Sequence, residues 1–132
     1  MLNLENEVKE TFTIEQMLPA IGQGVIALQC KQNDQKTLNI VKDINHKETY
    51  YCAQAERSLL EAIGGDCDTA IGGLAKISND IISLKSELFS NDGKKKFESQ
   101  SSGNFKEAKE IGYKVGRDLL KKAGSDFTKQ GN

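Results

Sequence analysis

The stretch LAKISNDIISLKSELFSNDGKKKFESQ, residues 74–100, decides the fold of this chain. Asn79-Asp80 and Asn91-Asp92-Gly93 have the composition of tight turns, and they divide the stretch into three strand-like runs. These runs are Leu74 to Ser78, Ile81 to Ser90 and Lys94 to Gln100. Turns of this kind join antiparallel strands, so the pattern predicts a three-stranded antiparallel meander.

The middle run alternates between apolar and polar side chains. Its apolar residues are Ile82, Leu84 and Leu88, and the polar residues between and beside them include Ser83, Lys85 and Glu87. Successive side chains of a strand point to opposite faces, so one face of the sheet is dry and the other is wet. Another element must cover the dry face.

Two amphipathic helices can supply the cover. One is predicted from about Lys47 to Ile63, with Gly64 as its C-terminal cap. The other follows Asn104, which with Glu107 resembles a capping box. Their apolar stripes are Tyr51, Ala55, Leu59 and Ile63 in the first helix, and Phe105, Ala108, Ile111, Val115 and Leu119 in the second. The predicted fold class is α+β, a small three-stranded antiparallel sheet covered by helices on one face.

The first 46 residues carry a different pattern. Val25 to Cys30 is apolar on both alternating faces, which predicts a strand buried on both sides. Such a strand needs a neighbour on each flank, and the preceding sequence supplies at most one short candidate, Val8 to Ile14. We therefore expect a strand-containing segment left over from an α/β domain. A helix capped by Asp34 and ending near Asn45 follows it.

Charge and composition limit the possible partners. The 132 residues include 18 basic and 19 acidic side chains, so the net charge of −1 gives no basic field for nucleic acid and no charged surface for a membrane. No stretch approaches the roughly 20 apolar residues of a spanning helix, and the start has no signal-peptide pattern. Three widely spaced cysteines do not form a disulfide framework, so we expect a cytoplasmic protein.

Cys67 is the cysteine that most favours a function, because it lies in the glycine-rich run IGGDCDTAIGG, residues 63–73. Glycines leave a loop thiol open to a large ligand. The alternative is an inert free cysteine. Cys30 and Cys52 are interpreted as small core residues, and His46 as a helix-start residue. A zinc site is not predicted, because the sequence has no CxxC spacing and no second histidine.

Several short motifs together resemble one family. They are MLPAIGQGVIAL at residues 17–28, INHKET at 44–49, AER at 55–57, GDC at 65–67 and Ile71-Gly72. Each is weak alone, and AER on a helix usually indicates a salt-bridged surface. Their joint order and spacing resemble hydroxymethylbilane synthase, also called porphobilinogen deaminase.

The resemblance implies that this chain is the C-terminal portion of a three-domain enzyme. Residues 1–46 would be the incomplete return segment of the first domain, and residues 47–132 the cofactor-bearing domain. The enzyme would polymerise four porphobilinogen units, with loss of ammonia, into hydroxymethylbilane for tetrapyrrole (heme) biosynthesis. Cys67 would hold a dipyrromethane cofactor through a thioether. Gln23 and Gly24 would offer polar contacts to the pyrrole chain, unless they form only a tight turn.

The same resemblance leaves the catalytic aspartate and the arginine-rich cleft in N-terminal domains that are missing here. Only Arg57 and Arg117 are present, too few to hold a chain with two carboxylates on each pyrrole, so we expect these 132 residues alone to be inactive. Asp66 and Ala70 depart from the family's usual glycine and proline. The competing hypothesis is a non-catalytic module that pairs with a partner through an exposed strand, Val25 to Cys30.

Overall fold

The computed structural model describes residues 4–64, 69–124 and 127. The helices are α1 (Gln35–Ile44), α2 (Lys47–Ile63) and α3 (Ala108–Ala123), and the strands are β1 (Ile71–Ser78), β2 (Ile81–Phe89) and β3 (Lys96–Asn104), with 3-10 turns at Glu5–Glu7 and Phe105–Glu107. In the described part of the chain the strands form one antiparallel sheet in the order β1-β2-β3. The α+β class is confirmed.

The first hairpin is fixed by its turn residues. Asn79 and Asp80 have φ angles of 50° and 63°, the left-handed conformation that a two-residue hairpin turn requires at both positions. Ser78 therefore pairs with Ile81, and the register continues along β1 and β2 to Ile71 opposite Leu88. The second predicted turn is also confirmed, because Asp92 Oδ1 accepts hydrogen bonds from Ser90 Oγ at 2.6 Å and from the Lys94 N–H at 3.1 Å.

The helices cover one face of the sheet, as predicted. Ile82, Leu84 and Leu88 of β2 are at most 1 % exposed on that face. Both predicted helical stripes supply buried partners for them, among them Leu59, Ile63, Val115 and Leu119. The opposite face of the sheet carries Lys76, Lys85, Gln100 and other polar residues.

Close contact between α2 and α3 depends on two glycines. A Cβ atom built on Gly112 would lie 2.1 Å from the carbonyl oxygen of Ala55, and one on Gly116 would lie 2.8 Å from that of Leu59. Ser58 Oγ donates a hydrogen bond to the carbonyl oxygen of Lys109 at 2.8 Å across the same interface. The backbone of α3 thus lies directly against the backbone of α2.

The predicted ends of α1 and α2 are confirmed. Asp34 Oδ1 accepts a hydrogen bond from the Thr37 N–H at 3.0 Å and begins α1. His46 begins α2 as predicted, because its Nδ1 accepts from the Thr49 N–H at 3.3 Å. Gly64 ends α2 with a φ of 66°, a left-handed conformation that glycine adopts without a steric penalty.

The bounds of the outer strands differ from the prediction. β1 begins at Ile71 rather than Leu74, and β3 runs over Lys96–Asn104 rather than 94–100. The polar residues Ser101 to Asn104, beyond the predicted end of the third strand, pair with Leu84 to Ile81 of β2. A strand needs backbone partners more than apolar side chains, and β2 supplies these partners along its full length. Asn104 accordingly caps the 3-10 turn rather than α3, since its Oδ1 accepts from the Lys106 N–H.

The prediction of two strands near the N-terminus is wrong. Val8 to Ile14 and Val25 to Cys30 form no strand in the described structure, and the residues of the second segment are exposed except for the half-buried Cys30, with Ile26 at 89 %. Their apolar character is real, but within the described residues no strand runs beside them to accept and donate backbone hydrogen bonds. None of the described helices is both long and apolar enough to cross a bilayer.

The close contact between Gly112 and Ala55 predicts that one added methyl group will destabilise the fold. Gly112→Ala should lower the free energy of unfolding by about 1–3 kcal/mol, because the added Cβ would overlap the Ala55 carbonyl group. Gly103→Ala is the matched control, since its Cβ would meet only movable side-chain atoms of Ile111 and Glu107 at 3.1 and 3.2 Å. Urea unfolding measures both; equal stabilities of the two variants would contradict the packing described.

The hydrogen bonds that Asp118 accepts should make the fold sensitive to acid. Its Oδ2 accepts from Lys122 Nζ and from Ser99 Oγ, both at 2.7 Å, and these hydrogen bonds hold the pKa of Asp118 below its ordinary value of 3.8. A depressed pKa in the folded state gives stability that is present above the unfolded pKa and lost as the pH falls through the folded pKa. Asp118→Asn should therefore reduce the loss of stability below about pH 4 in urea titrations, and an unchanged loss would contradict the role of these hydrogen bonds.

Candidate functional site

Ile21 to Gly24 form a tight turn, as the sequence predicted. Gly22 and Gly24 have φ angles of 72° and 80°, which residues with a Cβ rarely adopt. The Gln23 N–H donates to the Ala20 carbonyl oxygen at 3.1 Å, and the Ala20 N–H donates back to Gln23 Oε1 at 3.2 Å. Gln23 thus closes the turn with both its backbone and its side chain.

The chain just before the turn docks on the start of β1. The Gly73 N–H donates to the Pro19 carbonyl oxygen at 2.9 Å, and Ala20 forms an isolated antiparallel bridge with Gly72. A Cβ on Gly72 would lie 3.1 Å from Leu18 Cβ, and one on Gly73 only 2.5 Å from Ile21 Cδ1. The absence of side chains at these two glycines makes room for the docked segment.

Glu56 joins the turn to the rest of the domain. This α2 residue is only 6 % exposed. Its Oε2 accepts a hydrogen bond from the Gly22 N–H at 2.8 Å, and its Oε1 accepts one from the Ala75 N–H at 2.9 Å. Hydrogen bonds to a carboxylate are about twice as strong as those between neutral groups, and they offset the desolvation of the buried charge.

The AER motif therefore has three distinct roles rather than one surface role. Ala55 is fully buried where Gly112 contacts it, Glu56 holds the turn, and Arg57 is exposed. Sequence reasoning missed Glu56 as a site residue. One signal was available: Glu56 precedes Leu59 by three residues and Ile63 by seven, which places it on the buried face of the helix.

Cys67, the predicted anchor, lies outside the described residues. The described chain stops at Gly64, the end of α2, and resumes at Thr69. From there it is held to the sheet, because the Phe89 N–H donates to the Ala70 carbonyl oxygen at 2.9 Å. Gly72 and Gly73, where the turn segment docks, follow directly. The role of Cys67 stays a prediction.

Gln23 and Gly24 were the other predicted site residues, and both are exposed. Because Gln23 Oε1 accepts from Ala20, the amide nitrogen carries the donors that the side chain could offer to a carboxylate. A Cβ on Gly24 would meet no atom within 4 Å, so there is open space beside the turn. Contact between this turn and a pyrrole chain stays a prediction.

The remaining cysteines are free thiols in the described part of the chain. Cys52 packs partly buried against the core, as predicted, and burial, followed by the charges of Glu56 and Glu48, raises the pKa of its thiol. A raised pKa makes Cys52 a poor nucleophile. Cys30 is half-buried in the segment that forms no strand. The residues that the structure describes contain no group of three or more His, Cys, Asp or Glu placed to hold a metal ion.

Comparison with known proteins gives two family matches. The porphobilinogen deaminase C-terminal domain matches residues 50–121, and the porphobilinogen deaminase dipyromethane cofactor binding domain matches residues 1–39. Curated porphobilinogen deaminases are similar over most of the chain. The protein of Coxiella burnetii (strain RSA 493 / Nine Mile phase I) is 39 % identical over 129 residues, 98 % of this chain and 42 % of the relative. That of Listeria monocytogenes is 35 % identical over 88 % of this chain and 37 % of the relative. The chain thus spans about two fifths of the length of these relatives.

The turn geometry predicts a local effect of substitution. Gly22→Ala should loosen the turn, because a left-handed conformation costs a residue with a Cβ about 1–2 kcal/mol. We expect faster amide hydrogen exchange of Gln23, whose N–H bonds to Ala20 within the turn, and little change in urea midpoint. Gly93→Ala is matched to it, with a φ of 70° and no atom within 4 Å of its Cβ, but it lies in the β2–β3 turn and should lower the midpoint itself. A lowered midpoint for Gly22→Ala with unchanged exchange of Gln23 would contradict this description of the turn.

Proposed function

This chain belongs to the porphobilinogen deaminase family, and on that premise we propose that it is the cofactor-carrying C-terminal portion of a hydroxymethylbilane synthase. The reaction proposed is the polymerisation of four porphobilinogen units, with loss of ammonia, into hydroxymethylbilane for tetrapyrrole and heme biosynthesis. The observation that carries the proposal is the pair of family matches, which covers both the turn segment and the domain on which it docks.

We propose a division of the chain at residues 46 and 47. Residues 1–46 would belong to the first domain of the enzyme, and residues 47–132 would form the anchor-bearing domain. The separate family matches to residues 1–39 and 50–121 support this division. So does the structure of α2, which begins at Lys47 and packs into the core, whereas α1 has no buried residue.

Cys67 is proposed as the thioether anchor of dipyrromethane. A thiol suits this role, because sulfur is a strong nucleophile toward the electrophilic methylene that remains when porphobilinogen loses ammonia. The anchored dipyrromethane would supply the primer to which further units add. Asp66 and Asp68 flank the thiol in sequence, and their negative charges disfavour its thiolate form. The donors of this chain fit an acidic cofactor at the turn, where Gln23 offers an amide and Gly24 leaves open space.

These 132 residues are proposed to be inactive without the rest of the enzyme. Arg57 and Arg117 are exposed on different helices, and two guanidinium groups cannot pair with the carboxylates of a growing chain. The exposed apolar side chains of Val25, Ile26 and Leu28 would pack against the remainder of the first domain. The competing hypothesis of a strand-pairing module is not favoured, because Val25 to Cys30 forms no strand. The free cysteines support the cytoplasm as the location.

A chimera tests the proposal. The part of the Coxiella burnetii enzyme that precedes its matched segment would be joined to residues 1–132. We expect hydroxymethylbilane formation from porphobilinogen, and none from the 132-residue chain alone. A folded chimera without activity, or an active isolated chain, would contradict the proposal.

The anchor assignment predicts a difference between two cysteines. In the chimera, Cys67→Ser should abolish the covalent dipyrromethane, because a hydroxyl is a far weaker nucleophile than a thiolate, and turnover should fall to background. Cys52→Ser is the matched control and should keep the cofactor, since Cys52 is half-buried on α2. Intact-mass spectrometry reads both; a cofactor mass retained in the Cys67 variant would place the anchor elsewhere.

A further inference from the structure

We propose that Glu56 is a positioning residue for the pyrrole-chain site, an inference that rests on the function proposed above. Its carboxylate fixes the Gly22–Gly24 turn relative to β1. It thereby sets where Gln23 and Gly24 stand with respect to a pyrrole chain held by Cys67. Glu56 itself is not placed against the reacting atoms.

The geometry of the carboxylate carries the inference. One oxygen accepts from Gly22 in the turn and the other from Ala75 in β1, at 2.8 and 2.9 Å. Two hydrogen bonds to one planar group fix the distance between the segments that they join. The side chain starts from α2, whose backbone is packed against α3, so the group is held on a rigid element.

The other contacts of the segment involve the residues before the turn and its first residue, Ile21, whose side chain packs against the core. Pro19 bonds to Gly73 and Ala20 bridges to Gly72, which holds the chain that leads into the turn. The Gly22 N–H is the group of the turn itself that reaches α2. Loss of the Glu56 contact should therefore release Gly22 to Gly24 while leaving Pro19, Ala20 and Ile21 attached.

The domain core is built without Glu56. The α2–α3 interface uses Ala55, Leu59, Gly112 and Gly116, and the sheet is held by its own ladder. The positioning effect can thus be separated from loss of the fold. Glu56→Gln tests this separation, because an amide keeps the shape and one acceptor but presents N–H donors to the second backbone N–H.

Amide hydrogen exchange of the 132-residue chain tests the contact without any assumption about activity. Glu56→Gln should speed the exchange of Gly22 or Ala75, whichever N–H faces the new amide group, by at least about tenfold, the loss of roughly one hydrogen bond. Leu119 in the core should change less than about twofold. Glu61→Gln, the same substitution at an exposed position of α2, should match the unsubstituted chain. Unchanged exchange at both Gly22 and Ala75 would overturn the proposal.

Kinetics of the chimera test the consequence for the reaction. Glu56→Gln should leave the covalent cofactor in place and lower kcat by about tenfold, with a smaller change in KM for porphobilinogen. The reason is that the turn would contact the chain already held by Cys67 rather than the free substrate. Kinetics equal to those of Glu61→Gln would overturn the positioning role. If Glu56→Gln does not fold, Glu56→Asp keeps the charge but is one methylene shorter, and the same two measurements on it decide.

The two proposals fail in distinguishable ways. A chimera that carries no cofactor and makes no product refutes the proposed function whatever Glu56 does. A chimera that is loaded and active, but indifferent to Glu56→Gln, refutes only the positioning role.

Discussion

The buried carboxylate of Glu56 is the constraint that holds three parts of this molecule together: the turn of residues 21–24, helix α2 and strand β1. A carboxylate removed from water must have hydrogen-bond donors, and Glu56 finds them in two backbone N–H groups from segments far apart in sequence. If either segment moved away, the charge would lose a partner that water could not readily replace in a site only 6 % exposed. The turn of residues 21–24, helix α2 and strand β1 are consequently held as one unit.

Helix α2 can serve this role because its two sides are specialised. On one side it meets α3 at backbone distance, through the bare faces of Gly112 and Gly116. On another it presents Glu56 toward β1 and the turn. This close packing limits how far α2 can shift, because a well-packed protein interior has little free space. The position of the turn is therefore set by the core, although the turn itself lies at the surface.

The sequence predicted those elements that local signals determine. The ends of α2 follow from His46 and Gly64, and the first hairpin follows from Asn79-Asp80, because caps and turns are decided by a few neighbouring residues. The strand predicted at Val25 to Cys30 failed, since pairing depends on partners that the local pattern does not contain. The prediction placed β3 too early in the sequence, at residues 94–100. The pattern could not show its true end, because an edge strand paired only with β2 can be polar throughout.

The candidate site was predictable in part for the same reason. The GQG turn follows from two glycines and was found, whereas the partner that holds it is a carboxylate on a distant helix, which no short motif indicates. Pro19, Ala20 and Gly22 attach to the domain at Gly72, Gly73 and Glu56, and Cys67 precedes Gly72 by only five residues. A segment of the proposed first domain and the chain leading from the proposed anchor thus meet at the start of β1. Any displacement of that segment must act on the first residues of β1, so within the described residues this contact links the position of the proposed first-domain segment to the strand that follows the proposed anchor.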